Sequence, residues 1–393
     1  MTRHLIRSII GPIGLPIPII ALALIFATAF AKAAPAQDGT SAVADGEDRS
    51  LEYYVGQLSH SQYLHREAAT KHLIEAGEKA VPALSAAIRK GDLETTTRAI
   101  GVLSDLALDQ PPEDDGNALG ALKAIASEST GSRQVAAQKV IAEINEAREQ
   151  EALESLSNAG VYIGFDEFAV GALTGQKFLL RIDDQWNRKS EPLAWLRWLR
   201  GIEFVSLVGP GIQADVIANV IHMPHLKTIA LIDGEVEAAA IDQLAKMSRI
   251  DSLEIRYVTL TPELMDKVAA LPIRESLNLM GTGVKEPRVE KLRADLPGLS
   301  ILHRHGGFLG VTCNTFGVTR CEITSVLPQS AAASAGLQRQ DVIIGIDDNK
   351  IELFADLQKV INEHVPGDKI KVKYLRAGGI RQTTVQLGRQ LDR

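Results

Sequence analysis

Gly306-Gly307-Phe308-Leu309-Gly310-Val311, Val326-Leu327-Pro328-Gln329-Ser330-Ala331-Ala332-Ala333-Ser334-Ala335-Gly336-Leu337 and Asp341-Val342-Ile343-Ile344-Gly345-Ile346 follow one another in the C-terminal part of the chain. Around them, apolar residues recur with period two at Val311 and Cys313, Cys321 and Ile323, Ile343 to Ile346, and Ile370, Val372 and Tyr374. Gly, Asn and Pro bound these runs, so they read as short strands of a small sheet. Ser330 offers a capping side chain to an Ala-rich turn that Gly336 ends in the left-handed conformation. The spacing of Leu357, Val360 and Ile361 predicts a helix over Phe354 to Asn362 with one apolar face. Ala377-Gly378-Gly379 makes a last hairpin turn before Thr383 to Leu387.

The chemistry of the segment lies at Gly307, Phe308, Leu309 and Gly310. A loop flanked by glycine lets successive backbone N–H groups point the same way, and such a nest holds a carboxylate without a cationic side chain. The same residues also read as a linker turn, Gly306-Gly307, followed by two core side chains, Phe308 and Leu309. Together, these motifs resemble a PDZ domain of the bacterial, extracytoplasmic type found beside serine proteases. The resemblance implies that the amides of Phe308, Leu309 and Gly310 hold a peptide C-terminus. It also implies that the peptide adds as a strand to Val311 and Thr312, in a groove shared with Phe354, Leu357, Gln358 and Ile361 of the helix. Gln340 departs from the family, which commonly has Gly there.

At the other end, Arg3 and Arg7 precede an uncharged apolar run from Ile9 to Ala31, followed by Ala31-Lys32-Ala33 and Ala34-Pro35-Ala36. A basic start, an apolar middle and small residues at an A-x-A site are expected of a secretory signal over residues 1–36. The run is also long enough for an uncleaved inner-membrane anchor, and both readings place the body outside the cytoplasm, in the periplasm or beyond. Residues 37–50 read as a polar linker.

The 393-residue chain has net charge −7, unevenly spread. Residues 1–36 carry +3, residues 303–393 carry 12 cations against 9 anions, and residues 37–302 therefore carry −13. An acidic body argues against nucleic acid as a partner. The two cysteines, Cys313 and Cys321, lie on neighbouring predicted strands, where a disulfide and a pair of small buried thiols are both open readings.

Residues 51–157 are expected to be helical, with apolar pairs Ala69 and Leu73, Ala99 and Leu103, and Ala137 and Ile141. Val81-Pro82-Ala83-Leu84 announces a helix whose proline sits in the first turn, where its missing N–H costs little. Arg66-Glu67-Ala68-Ala69 and Ala76-Gly77-Glu78-Lys79-Ala80-Val81-Pro82-Ala83-Leu84 resemble HEAT repeats, beside which a plain helical bundle stays open. Residues 160–302 repeat every 24 positions: Val205, Ile229, Leu253 and Leu277 form one apolar column, Ile212, Val236, Leu260 and Val284 a second, and Val220, Leu244, Val268 and Leu292 a third. Each unit has a period-two run, a turn and a helix, as in Pro262 to Ala270 behind Thr261, which resembles leucine-rich repeats. Ser206, Ala230, Glu254 and Asn278, with Val208, Ile232, Arg256 and Met280, are expected to face outward on the concave side, as a partner surface or as part of a spacer.

No G-x-S-x-G elbow, H-E-x-x-H helix or phosphate-binding Gly-rich loop occurs. The pairs His222 and His225, His303 and His305, and His65 and His72 lack a third ligand in sequence, so no metal or other cofactor is expected. The expected fold is thus multidomain α+β: α-helical HEAT-like repeats, an α/β leucine-rich-repeat solenoid, and a PDZ-like β-sandwich or barrel with two helices over residues 303–393. The expected role is a non-enzymatic, exported protein-binding scaffold whose partners are protein or peptide C-termini. The alternatives are an adaptor that delivers substrates to an envelope protease or membrane complex and, more distantly, an enzyme with an unrecognised site between the repeats.

Overall fold

A computed structural model describes residues 49–113, 116–170, 173–314 and 320–390, so the expected leader and most of the polar linker lie outside the described residues. No helix among the described residues is long and apolar enough to cross a membrane.

Six helices come first: α1 (Leu51–Gln57), α2 (Tyr63–Glu75), α3 (Val81–Lys90), α4 (Leu93–Leu108), α5 (Gly116–Glu128) and α6 (Ser132–Asn158). Local chemistry sets their ends. Asp92 caps α4 by accepting from the Thr95 N–H at 2.8 Å, a bond that holds its carboxyl below the ordinary range. Pro82 sits in the first turn of α3. Ala69, Leu73, Ala99, Leu103 and Ala137 are all buried, so the apolar pairs do mark the packed faces. Arg148 of α6 is 3% exposed and closes the C-terminal end of α4, where carbonyls have no partner in their own helix. Its Nη2 donates to the carbonyls of Ala107 and Leu108, each at 3.0 Å, and Gln110, at 2.5 Å.

A seven-stranded sheet follows, in sequence order from β1 to β7. Its first pair, β1 (Tyr162–Val170) and β2 (Leu173–Ile182), is an antiparallel hairpin. The others, β3 (Phe204–Val208), β4 (Thr228–Ile232), β5 (Ile250–Arg256), β6 (Ile273–Met280) and β7 (Ser300–Arg304), run parallel to β2 and to one another. Helices α7 (Ala214–Val220), α8 (Ala238–Leu244), α9 (Pro262–Ala269) and α10 (Glu286–Asp295) form the crossovers. The 24-residue step appears directly as register: Val205 pairs with Ile229, Ile229 with Leu253, Leu253 with Leu277, and Leu277 with Ile301. All three apolar columns are buried, and Thr261 caps α9 through the Leu264 N–H.

The opposite face of the sheet departs from expectation. Ser206, Ala230, Ile232, Glu254, Arg256, Asn278 and Met280 are buried rather than presented to solvent, and Glu254, Arg256 and Asn278 form a bonded cluster. Glu254 accepts from Asn278 Nδ2 at 2.5 Å and from Arg256 Nη2 at 3.4 Å. Arg304, one strand further on, is pushed below the ordinary arginine range by burial and then by the Arg256 charge.

The C-terminal unit has its own core, which includes Leu309, Ile323, Ile343, Leu357 and Ile370. It comprises β8 (Val311–Cys313), β9 (Ile323–Val326), α11 (Ala331–Ser334), β10 (Val342–Ile346), β11 (Asn349–Lys350), α12 (Phe354–Asn362), β12 (Lys369–Arg376) and β13 (Gly379–Gln386). Strands β8 and β9 make one ladder, and a four-stranded sheet runs β11-β10-β12-β13. Single bridges from Glu322 to Val342 and from Phe308 to Gly388 link the pieces. Ser330 caps α11, and Gly336 follows with φ +76° as its spacing requires. Gln340 adopts φ +73°, so the side chain standing where glycine was expected accepts the left-handed conformation.

Candidate functional site

The loop from Gly306 to Gly310 is fixed from three sides. Gly307 donates to the His364 carbonyl at 2.8 Å, just beyond α12, and a Cβ on Gly307 would stand 2.7 Å from that oxygen. Phe308 and Gly388 exchange both backbone bonds at 3.0 Å. These bonds correct the expected nest: the amides of Gly307 and Phe308 are consumed internally and offer nothing to a ligand. Partners distant in sequence, His364 and Gly388, took them.

Leu309 and Gly310 differ. The Leu309 carbonyl accepts from Ala332 at 2.9 Å and the Gly310 carbonyl from Leu327 at 3.0 Å, while neither residue's N–H finds an acceptor among the described residues. In a trans peptide the N–H points opposite to the carbonyl of the same plane. The bond at the Phe308 carbonyl therefore turns the Leu309 N–H away from Gly388, and the bond at the Leu309 carbonyl turns the Gly310 N–H away from α11. Gly310 has φ +83°, and an added Cβ would lie 2.2 Å from Ser330 Cβ, so α11 approaches too closely for any side chain.

Strand β8 continues from this loop. One edge pairs with β9, Val311 opposite Val326 and Thr312 opposite Ser325. Its other edge carries no strand among the described residues. Thr312 is exposed and Val311 half-buried. On α12, Phe354 is half-buried and Gln358 exposed, one turn apart on the same face. Leu357 and Ile361, expected in the groove, instead belong to the core, because the apolar stripe of α12 turns toward the sheet of its own unit.

The sulfurs of Cys313 and Cys321 lie 3.4 Å apart, unbonded, with the Cys321 thiol donating to Cys313. That bond pulls the Cys313 thiol down, while donation to Cys313, and then burial, pushes Cys321 up.

Two features had no signal in the sequence. Asp341, 1% exposed, receives Arg376 in a two-pronged grip, Nε to Oδ1 and Nη2 to Oδ2 both at 2.7 Å, and also takes the Gln338 N–H at 2.8 Å. Tyr257, at the end of β5, joins the C-terminal unit to the parallel sheet. Its hydroxyl donates to the Gly306 carbonyl at 3.0 Å and accepts the Gln390 N–H at 2.6 Å. Burial pushes this phenol upward. A cleft of about 390 Å³ lies beside the junction, lined in part by Lys285, His303, His305 and Arg389.

The histidine pairs do not converge on a ligand set. His303 bonds Glu286 at 2.7 Å and holds its carboxyl below the ordinary range, His305 bonds the Asn362 carbonyl at 2.9 Å, His65 lies against His60, and His72 stacks on Tyr54. Among the described residues no three His, Cys, Asp or Glu side chains are grouped as metal ligands.

The PDZ domain family matches residues 298–387. That match begins before β7, the last strand of the parallel sheet, and runs past the end of β13. No curated protein sequence matches the chain. Among solved structures, the HtrA-type protease AlgW with a decapeptide is 23% identical over 27% of this chain and 35% of that one, with a TM-score of 0.22. A serine endoprotease from Yersinia pestis is 23% identical over 26% of this chain and 35% of its own, at 0.21. An aminopeptidase N family protein from Idiomarina loihiensis is 17% identical over 23% of this chain and 15% of its own, at 0.20. The chain thus spans about a third of the two proteases' length, and these likenesses carry no argument about activity.

Proposed function

We propose that the PDZ domain matched over residues 298–387 captures the C-terminal end of an extended polypeptide, which lies as an added strand along β8. The observation that carries this reading is the run from the Leu309 and Gly310 amides into the open edge of β8. Two N–H groups are aimed by anchored carbonyls, and next to them is a strand with unpaired backbone on one side. Phe354 and Gln358 of α12 supply the facing wall, and main-chain bonds supply most of the affinity.

In this reading the rest of the chain is a non-enzymatic scaffold exported from the cytoplasm, with HEAT-like helices and leucine-rich units that hold the PDZ domain at a set position. The 24-residue register from β3 to β7 supports the solenoid part, and the basic-then-apolar start with its Ala-rich site supports export.

The test is a comparison of random decapeptide pools ending in a free carboxylate with the same pools ending in a carboxamide, titrated into the full chain by fluorescence anisotropy. Hydrogen bonds to a charged group contribute about 1.5–3 kcal/mol each, so amidation should weaken binding by at least about tenfold. Equal affinity for the two pools refutes the assignment.

A further inference from the structure

Cys313 and Cys321 stand at the inner end of the β8–β9 ladder, and the peptide reading gives them no role. We infer that they are a redox-active dithiol, oxidised by a small-molecule or protein disulfide, whose closure stiffens β8. They are the two cysteines of the chain, so no other pairing competes within one molecule. Their sulfurs are 3.4 Å apart, and a disulfide bond is about 2.05 Å, so closure asks for a movement of roughly 1.4 Å, within reach of side-chain rotation.

Strand β8 is three residues long and its ladder is irregular: Thr312 pairs with Ser325 but Cys313 with Ile323, skipping Thr324. The Thr324 hydroxyl takes the Thr312 carbonyl instead, at 3.1 Å. A short, bulged strand with one open edge has little to hold it, and a covalent link at its end supplies what the ladder lacks.

The pair is asymmetric in a way that orders the chemistry. Cys321 is fully buried and donates its S–H, whereas Cys313 is 8% exposed and accepts. The Cys313 thiolate attacks one sulfur of the incoming disulfide, whose S–S bond breaks and releases one thiolate. The Cys321 thiol gives its proton to that thiolate and attacks the Cys313 sulfur, breaking the mixed disulfide and releasing a second thiolate, which takes up the proton that Cys313 gave to water before the first attack. Two electrons pass to the reagent, and one internal disulfide and two free thiols result.

The consequence for docking rests on the proposed peptide function; the dithiol chemistry does not. The full chain is equilibrated with oxidised glutathione or with dithiothreitol, alkylated after denaturation and weighed intact. Hydrogen exchange of residues 311–313 and affinity for the carboxylate peptide pool are measured in both states. Two alkylations should appear in the reduced chain and none in the oxidised one. Exchange in β8 should slow about tenfold or more on oxidation, and peptide should bind about threefold tighter because the edge is held in its docking form. Cys321→Ala should trap glutathione on Cys313, and Cys313→Ala should trap none. Two alkylations after oxidant or unchanged exchange in a bridged chain would each overturn the inference, and equal peptide affinity in the two states would overturn its consequence for docking. If peptide binds neither state, the docking reading falls, and mass and exchange still decide the dithiol.

Discussion

Replacing Arg148 by methionine keeps the length and apolar stem of the side chain and removes its hydrogen-bonding head. Three carbonyls then lose their donor: those of Ala107 and Leu108, at the frayed end of α4, and that of Gln110 in the loop beyond. The buried Ala107 acceptor left unpaired costs about 1–3 kcal/mol, and the exposed position of Leu108 and half-exposed position of Gln110 let water repair part of the loss at the other two. The Glu151 partner is itself half exposed and contributes less than about 1 kcal/mol. The guanidinium also lies 5.4 Å from the Trp195 ring and 5.5 Å from that of Trp198. The expected loss is about 3–5 kcal/mol, with Arg148→Lys recovering less than half because an ammonium cannot reproduce the planar fork. Urea unfolding followed by tryptophan fluorescence reads this directly, since two of the chain's three tryptophans flank the site. A midpoint lowered by about 1 M or more is expected for methionine. A methionine variant whose midpoint matches the parent within about 0.3 M would refute the idea that this arginine closes α4.

Three more outcomes follow from the C-terminal unit. Gly310→Ala forces a side chain onto φ +83° and into Ser330, and should lower stability by about 2–4 kcal/mol and weaken carboxylate peptides, as read by denaturation and anisotropy. Tyr257→Phe orphans the Gln390 N–H and the Gly306 carbonyl, and should cost about 1–3 kcal/mol with faster hydrogen exchange at Gln390 and little change at β3. The Asp356 carboxyl is held below its ordinary value of 3.8 by the N–H groups of Leu353 and then Glu352. Its folded pKa lies under its unfolded one, so its support of α12 is full above the unfolded value and is lost as pH falls through the folded value. Exchange at Glu352 and Leu353 should therefore accelerate below about pH 4, and Asp356→Asn should abolish that acid step.

What could be read from the chain without coordinates follows the range of the forces involved. Ser330, Gly336, the helix from Phe354 to Asn362 and the turn at Gly378 act within a few residues, and each lies where local chemistry puts it. The 24-residue columns were equally legible, since repetition carries long-range pairing into the sequence itself. Strand β1 lies outside the 24-residue pattern, and nothing in Tyr162 to Val170 declares its hairpin with β2. The four-residue nest was expected to offer the amides of Phe308, Leu309 and Gly310, of which the last two are left, since His364 and Gly388 approach the loop only once the unit has folded. Glu254, Arg256 and Asn278 looked like a solvated face residue by residue; their mutual bonding is a property of three adjacent strands. Arg148 gave no hint, because a long cation on a helix ordinarily reaches water.

Strand β7 passes into the Gly306 loop with no spacer, and one phenol clasps both Gly306 and Gln390. The first and last turns of the C-terminal unit are thereby tied to the same point on the sheet. A force applied to the C-terminal unit would pass into the parallel sheet through β7 and the Tyr257 phenol together, as tension on its β5 to β7 side.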